Sequence, residues 1–257
     1  CSEDCRFCAQ SCHYHTGAEE YPFLPVQEIV EEGKRNEAAG VHRYSIVTAG
    51  RGLHGRELDH ALEAYRRLGA ETGLALCASH GLQSVEEFQA MREAGVTRYH
   101  ANLETSRRNF PNICTTHTYE DKLENIRRAK SAGLEVCSGG ILGMGETWED
   151  RLDMALDLSE LGVVSIPLNL LTPIPGTPLE EAEPLTEEDV FRSVAIFRLL
   201  NPTAWIRMAA GRRRFAGGGR KLFRCGANAA ITGDMLTTTG TGIAEDRTMF
   251  AQLGYEI

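Results

Sequence analysis

The segment LALCASHGLQSVEEFQAMREAGVTRYHANLETS, residues 74–106, decides the fold. It opens with a short run, 74–79, in which the leucines fall on one face and Ala75, Cys77 and Ser79 on the other, the alternation of an extended chain. An amphipathic stretch of helical period follows and ends at Ala94-Gly95, where a helix needs a residue that accepts left-handed backbone. A second alternating run, 97–103, then sets Tyr99, Ala101 and Leu103 against Arg98, His100, Asn102 and Glu104. Strand, helix, strand is the signature of a parallel sheet.

The unit repeats along the chain. Strand-like runs at 42–48, 134–138, 163–168, 204–208 and 228–232 alternate with helical stretches, and Ala39-Gly40, Ala132-Gly133 and Leu161-Gly162 punctuate them. The parity also recurs. Val136 opposes Glu135 and Cys137; Ile166 and Leu168 oppose Ser165, Pro167 and Asn169; Ile206 and Met208 oppose Trp205, Arg207 and Ala209. A parallel strand covered on both faces normally reads as an unbroken apolar run. Here one face is polar, so thiols, amides, a carboxylate and an arginine converge in an interior where each unmatched group costs about 1–3 kcal/mol. A ligand or cluster in the lumen would satisfy them. No GxGxxG turn follows an early strand, and the length suits a barrel. The expected class is therefore α/β, a (β/α)8 TIM-type barrel forming one domain over 1–257. Its first strand is expected upstream of Cys1.

Composition narrows the function. With 257 residues, 42% hydrophobic and 25% charged, the chain can bury a large core, and its longest apolar run, 163–171, is too short to span a bilayer. No secretory signal opens it, so a cytoplasmic location is expected. A net charge of −9 argues against nucleic acid as the main partner. The basic run Arg212, Arg213, Arg214, Arg220, Lys221 and Arg224 reads as a solvated loop and helix start, or, more sharply, as an anionic-ligand site. Of eight cysteines, Cys1, Cys5, Cys8 and Cys12 crowd the first twelve positions, while Cys77, Cys114, Cys137 and Cys225 are dispersed, which suits metal ligation better than disulfides.

Cys1-x-x-x-Cys5-x-x-Cys8 puts three thiolates in one loop, and three cysteines on a 4Fe-4S cluster leave one iron open to an outside ligand. The spacing resembles that of the radical S-adenosylmethionine superfamily, whose cofactor chelates that iron. The competing reading is a ferredoxin-like electron carrier closed by Cys12. CSEDCRFCAQS (1–11), NLETS (102–106), NICTTHTYEDK (112–122), VCSGGILGMGET (136–147), PLNLLTPIPGTPL (167–179), IRMAAGR (206–212) and GANAAITGDMLTTTG (226–240) together resemble the biotin synthase family, in its order and over essentially the whole chain.

That resemblance implies sulfur insertion converting dethiobiotin to biotin, with an auxiliary iron-sulfur cluster as sulfur source. Another radical enzyme, of the hydrogenase-cofactor maturase or mutase kind, stays open as the alternative. By position, Cys1, Cys5 and Cys8 would hold the first cluster, and Phe7 would pack near the adenine. Asn102 and Glu104 would face the cofactor. Lys122, where the family usually has arginine, would meet the cofactor carboxylate. The run containing Gly143 and Glu146 would bring backbone close to the cofactor. Asn102 and Asn169 would bind the ureido ring, and Thr238 and Thr239 the substrate carboxylate. The family's auxiliary 2Fe-2S positions read Ser45, Cys77, Cys137 and Arg207 here, so one cysteine is replaced. Two readings follow: serine as a poorer ligand, or a four-iron cluster held by four thiolates among Cys12, Cys77, Cys114, Cys137 and Cys225. The resemblance further implies a flavodoxin- or ferredoxin-type electron donor and a homodimer. His13, His15, His80, His100 and His117 read as polar packing residues, with His100, inward by parity, the one to test.

Overall fold

The computed structural model describes residues 1–233 and 240–256. Its core is one parallel sheet of β1 (Arg43–Val47), β2 (Ala75–Ser79), β3 (Val96–His100), β4 (Glu135–Cys137), β5 (Gly140–Leu142), β6 (Ser165–Leu170), β7 (Trp205–Met208) and β8 (Ala229–Ala230). The order is β1-β2-β3-β4-β6-β7-β8, with β5 also pairing with β6. The helices are α1 (Val26–Ala38), α2 (Gly55–Glu71), α3 (Val85–Glu93), α4 (Tyr119–Ser131), α5 (Trp148–Glu160), α6 (Glu187–Leu200), the one-turn α7 (Ala216–Gly219) and α8 (Ile243–Leu253).

The barrel-type α/β architecture is present as a curled half-barrel. Strands β4 and β5 share one place in the wall, since Cys137 pairs with Ser165 and Gly140–Leu142 pair further along the same strand. Among the described residues β1 and β8 do not pair, so the wall is open on that side.

Three helix starts have a clear local cause. Ser84, Thr118 and Thr147 accept from the backbone N–H three residues on, while Glu87, Asp121 and Asp150 return the bond to the cap, which begins α3, α4 and α5. The outward strand side chains Leu76, Tyr99, Val136, Ile166, Ile206 and Met208 are buried with Leu68, Phe88, Met91, Ile126, Met154, Leu158, Val194 and Phe197 in one apolar shell. Burial of each such side chain stabilises the fold by about 1.5–3 kcal/mol.

Regular pairing of β3 stops at His100, short of the expected 103, because Glu104 takes a left-handed φ of 72° and makes a lone bridge to Gly140. The break between β4 and β5 is steric. A Cβ on Gly139 would lie 1.9 Å from the Pro167 carbonyl oxygen, and one on Gly140 would lie 2.4 Å from that of Glu104. Only glycine lets three strands approach so closely.

The solvated reading of the basic run needs correction at Arg212. Its side chain is 2% exposed, pairs with Asp246 of α8, and donates to the Gly218 carbonyl at 3.0 Å. Arg213, Arg214, Lys221 and Arg224 are exposed, as expected.

Candidate active site

The amino-terminal thiol loop is held by its own turns and by a partner segment. Cys8 N–H donates to the Cys5 carbonyl at 2.9 Å and Cys12 N–H to that of Cys1 at 2.9 Å. The loop docks on 112–117. Asp4 accepts from Thr115 N–H at 2.8 Å, Thr116 N–H at 3.2 Å, the Thr115 hydroxyl, and the Cys114 thiol at 3.2 Å. Burial works to raise the Asp4 pKa, but these bonds outweigh it and hold the carboxyl well below its usual range. Glu3 accepts from the Thr116 hydroxyl at 2.8 Å, lies 2.5 Å from His117 Nδ1, and pairs with Arg51 at 3.2 Å. The sequence TTHT thus ties down the cysteine loop.

Cys5 Sγ, Cys114 Sγ and a His117 ring nitrogen all lie within 4.8 Å of one another. The Cys5 thiol is pushed up by its bond to Cys114 and by burial, and burial also raises Cys8. Ligation by Cys5 or Cys8 therefore has to displace a proton, whereas the bond with Cys5 brings Cys114 down to about 4. Lys122 and Glu104, the latter just past the carboxyl end of β3, act electrostatically on Cys5.

Below that rim the lumen is layered. At the amino ends of the strands Arg98 grips Glu135 at 2.7 Å, with Arg43 at 4.0 Å from the same carboxylate. The next layer holds Cys77 and Cys137, each 6% exposed. Register sets Ser45 beside Cys77, His100 beside Cys137 and Pro167 beside Arg207. His100 Nδ1 lies 3.4 Å from Cys137 Sγ; the Ser165 hydroxyl donates to the same sulfur at 3.4 Å and accepts from Arg207 Nε at 2.7 Å. Burial would raise the Cys137 pKa, but His100, Arg207 and Ser165 bring it below the ordinary thiol value. Burial and the neighbouring Cys137 push Cys77 the other way. Two buried thiols among cationic and imidazole groups form a donor set that fits an iron-sulfur group.

At the rim, Asn102 accepts from Gly139 N–H at 3.0 Å and donates to Glu104 at 3.3 Å. Asn169 donates to the Gly140 carbonyl at 3.3 Å and accepts from Ala210 N–H at 3.1 Å. The two amides thus clasp the glycine break from both sides. Burial raises the Glu104 pKa against the opposing pull of Lys122 and His100. Glu146 is not solvated. It accepts from Gly143 N–H at 2.9 Å, Met144 N–H at 2.7 Å and Arg151 at 2.8 Å, and its side chain is 2% exposed. It shapes the loop that follows β5.

The expected residues therefore sort into places. Cys1, Cys5, Cys8 and Phe7 share the amino-terminal loop, while Asn102, Glu104, Lys122, Gly143 and Asn169 gather at the rim. Arg207 joins Cys77 and Cys137 in the lumen. Cys114 sits with Cys5, Cys12 is exposed, and Cys225 packs against the apolar shell beyond α7. Of the five thiols considered for an auxiliary four-iron site, the structure brings Cys77 and Cys137 together. Thr238 and Thr239 lie outside the described residues. Sequence reasoning missed the Glu3–His117–Cys114 group and Ser165. The clue to the first is the density of polar donors in 112–118; Ser165 is marked only by its inward parity.

A parallel half-barrel with an open thiol trio above its strand ends has the architecture of the radical S-adenosylmethionine class, and the chain matches the Radical SAM superfamily model over residues 1–158. Residues 167–256 match the Biotin and Thiamin Synthesis associated domain. The chain belongs to the biotin synthase family. It is 58% identical over 257 residues to the biotin synthase of Clostridium beijerinckii and 58% identical to that of Alkaliphilus metalliredigens, covering 100% of this chain and 81% of each relative. In fold it is similar to methylornithine synthase, with a TM-score of 0.79 and 21% identity over 90% of this chain and 67% of that one. It is also similar to HydG, a maturase of the FeFe-hydrogenase, with a TM-score of 0.82 and 18% identity over 99% and 61%. No described helix is long and apolar enough to cross a membrane.

Proposed function

We propose that this chain converts dethiobiotin to biotin by inserting sulfur between two saturated carbons. The observation that carries the reading is the polar lumen itself: Cys137 meets His100 on the next strand, Asn102 and Glu104 follow on the same segment past the end of β3, and Glu104 acts electrostatically on Cys5 and Cys8. A radical generator above and a sulfur source below would leave a substrate between them. When bound, the 4Fe-4S cluster with S-adenosylmethionine supplies hydrogen abstraction and the auxiliary cluster supplies sulfur.

Cys1, Cys5 and Cys8 hold the first group, and Asp4 and Glu3 keep that loop seated on 112–117. Phe7 would pack against the adenine, and Lys122 would offer its ammonium to the cofactor carboxylate. Cys77 and Cys137, with Ser45 and Arg207 beside them, hold the second group. Asn102 and Asn169, whose amides offer both donors and acceptors, would bind the ureido ring. Both amides are already anchored to backbone, so their orientation is set before substrate arrives. Thr238 and Thr239 receive the substrate carboxylate. The reading carries with it a flavodoxin- or ferredoxin-type electron donor, a homodimer and a cytoplasmic location.

The test is an anaerobic turnover of reconstituted protein with S-adenosylmethionine, reductant and dethiobiotin. Formation of both 5'-deoxyadenosine and biotin is expected. Deoxyadenosine without biotin would assign another substrate, and the absence of both would remove the radical reading.

A further inference from the structure

We propose that His100 is a protein ligand of the auxiliary cluster and shares one iron with Cys137. The inference rests on the functional reading above, and it answers a question that reading leaves open: what compensates for Ser45, which stands where the family has a ligating cysteine.

The geometry points to His100. Its Nδ1 is 3.4 Å from Cys137 Sγ, on the residue that is its register partner across the β3–β4 pair. A tetrahedral metal bound by an imidazole nitrogen and a thiolate at ordinary bond lengths holds those two atoms about 3.5 Å apart. The observed contact is a hydrogen bond at a separation that two ligands on one ion also have, so both atoms can reach one iron without moving the strands. Two protein ligands on the same iron is the arrangement of a two-iron core, whereas a cubane takes one ligand per iron and keeps its ligands further apart. Cys77, on the neighbouring strand β2, is the remaining thiolate of this layer, with Ser45 beside it in register on β1.

Chemistry agrees with position. Imidazole is a good iron ligand and an alcohol a poor one, so a histidine recovers what replacement of a thiolate by serine loses. Two-iron centres ligated partly by histidine are a known class, and the substitution raises the reduction potential. Arg207 Nε donates to the Ser165 hydroxyl, which in turn donates to Cys137. It acts on the sulfur through Ser165 and positions it.

The experiment uses the full chain, reconstituted without S-adenosylmethionine, labelled with 15N only in histidine, reduced, and measured by pulsed electron paramagnetic resonance. A strongly coupled histidine nitrogen is expected on the auxiliary signal of the wild type and lost in His100→Cys, which supplies a thiolate and keeps the cluster. In His100→Gln, which can still donate a hydrogen bond to Cys137, the coupling should also vanish and the auxiliary iron should fall. Circular dichroism of both variants confirms that they fold. An auxiliary cluster with no coupled histidine nitrogen, or a His100→Gln protein with the wild-type signal and iron content, overturns the ligand assignment alone. Wild-type protein that assembles only the first cluster removes both this assignment and the sulfur-insertion reading.

Discussion

At His80 burial alone sets the protonation state. His80 is 1% exposed, with Nδ1 2.9 Å from the Thr48 hydroxyl and Nε2 2.8 Å from that of Tyr65. Burial disfavours its charged form and brings its pKa down to about 4. An unfolded chain protonates the same ring near 6.5, so between those values the unfolded state binds more protons. Stability is therefore complete above about pH 6.5 and falls as the pH drops toward 4, by on the order of 3 kcal/mol from this residue. Urea unfolding of the anaerobic protein at several pH values should show that loss, and His80→Phe should flatten it. An unchanged pH slope in the variant would assign the effect to other groups.

Among the elements, the interruption between β4 and β5 does the most to shape the site. It turns one strand into two, opens a gap at the rim, and is clasped by Asn102 on one side and Asn169 on the other. Gly139 keeps the gap narrow, because a methyl there would meet the Pro167 backbone. Gly139→Ala should destabilise the protein by about 1–3 kcal/mol, the usual cost of overpacking, while pushing Asn102 out of place. Denaturation measures the first effect. The second appears as weakened dethiobiotin binding, and a variant with wild-type stability and affinity would show that the sheet yields there without consequence.

Across the whole molecule, the carboxyl-terminal helix is held to the half-barrel by the buried Arg212–Asp246 pair, whose side chains are 2% and 4% exposed. Removing one partner strands the other charge in the interior, so Asp246→Ala should cost about 3–5 kcal/mol. Replacing both with apolar residues, as in Arg212→Met with Asp246→Leu, should recover much of that loss, since the desolvation penalty disappears with the charges. Equal destabilisation of the single and double variants would contradict a desolvation origin. The pair joins segments 34 residues apart, on either side of the motif that carries Thr238 and Thr239.

The amino-acid sequence by itself located every strand but β5 and the inward faces of β2, β3, β4, β6 and β7, because a period of two survives wherever one side of a strand is apolar and the other is not. It also determined the open-iron motif, which is local: Cys1, Cys5 and Cys8 lie within eight residues. Only the tertiary structure decided which distant groups meet. Cys114 pairs with Cys5 and not with Cys77, Arg212 turns inward to a helix, and His100 faces a thiol on the next strand. Such contacts depend on register and on loop docking between segments far apart in the chain, and neither leaves a periodic trace in the residues themselves.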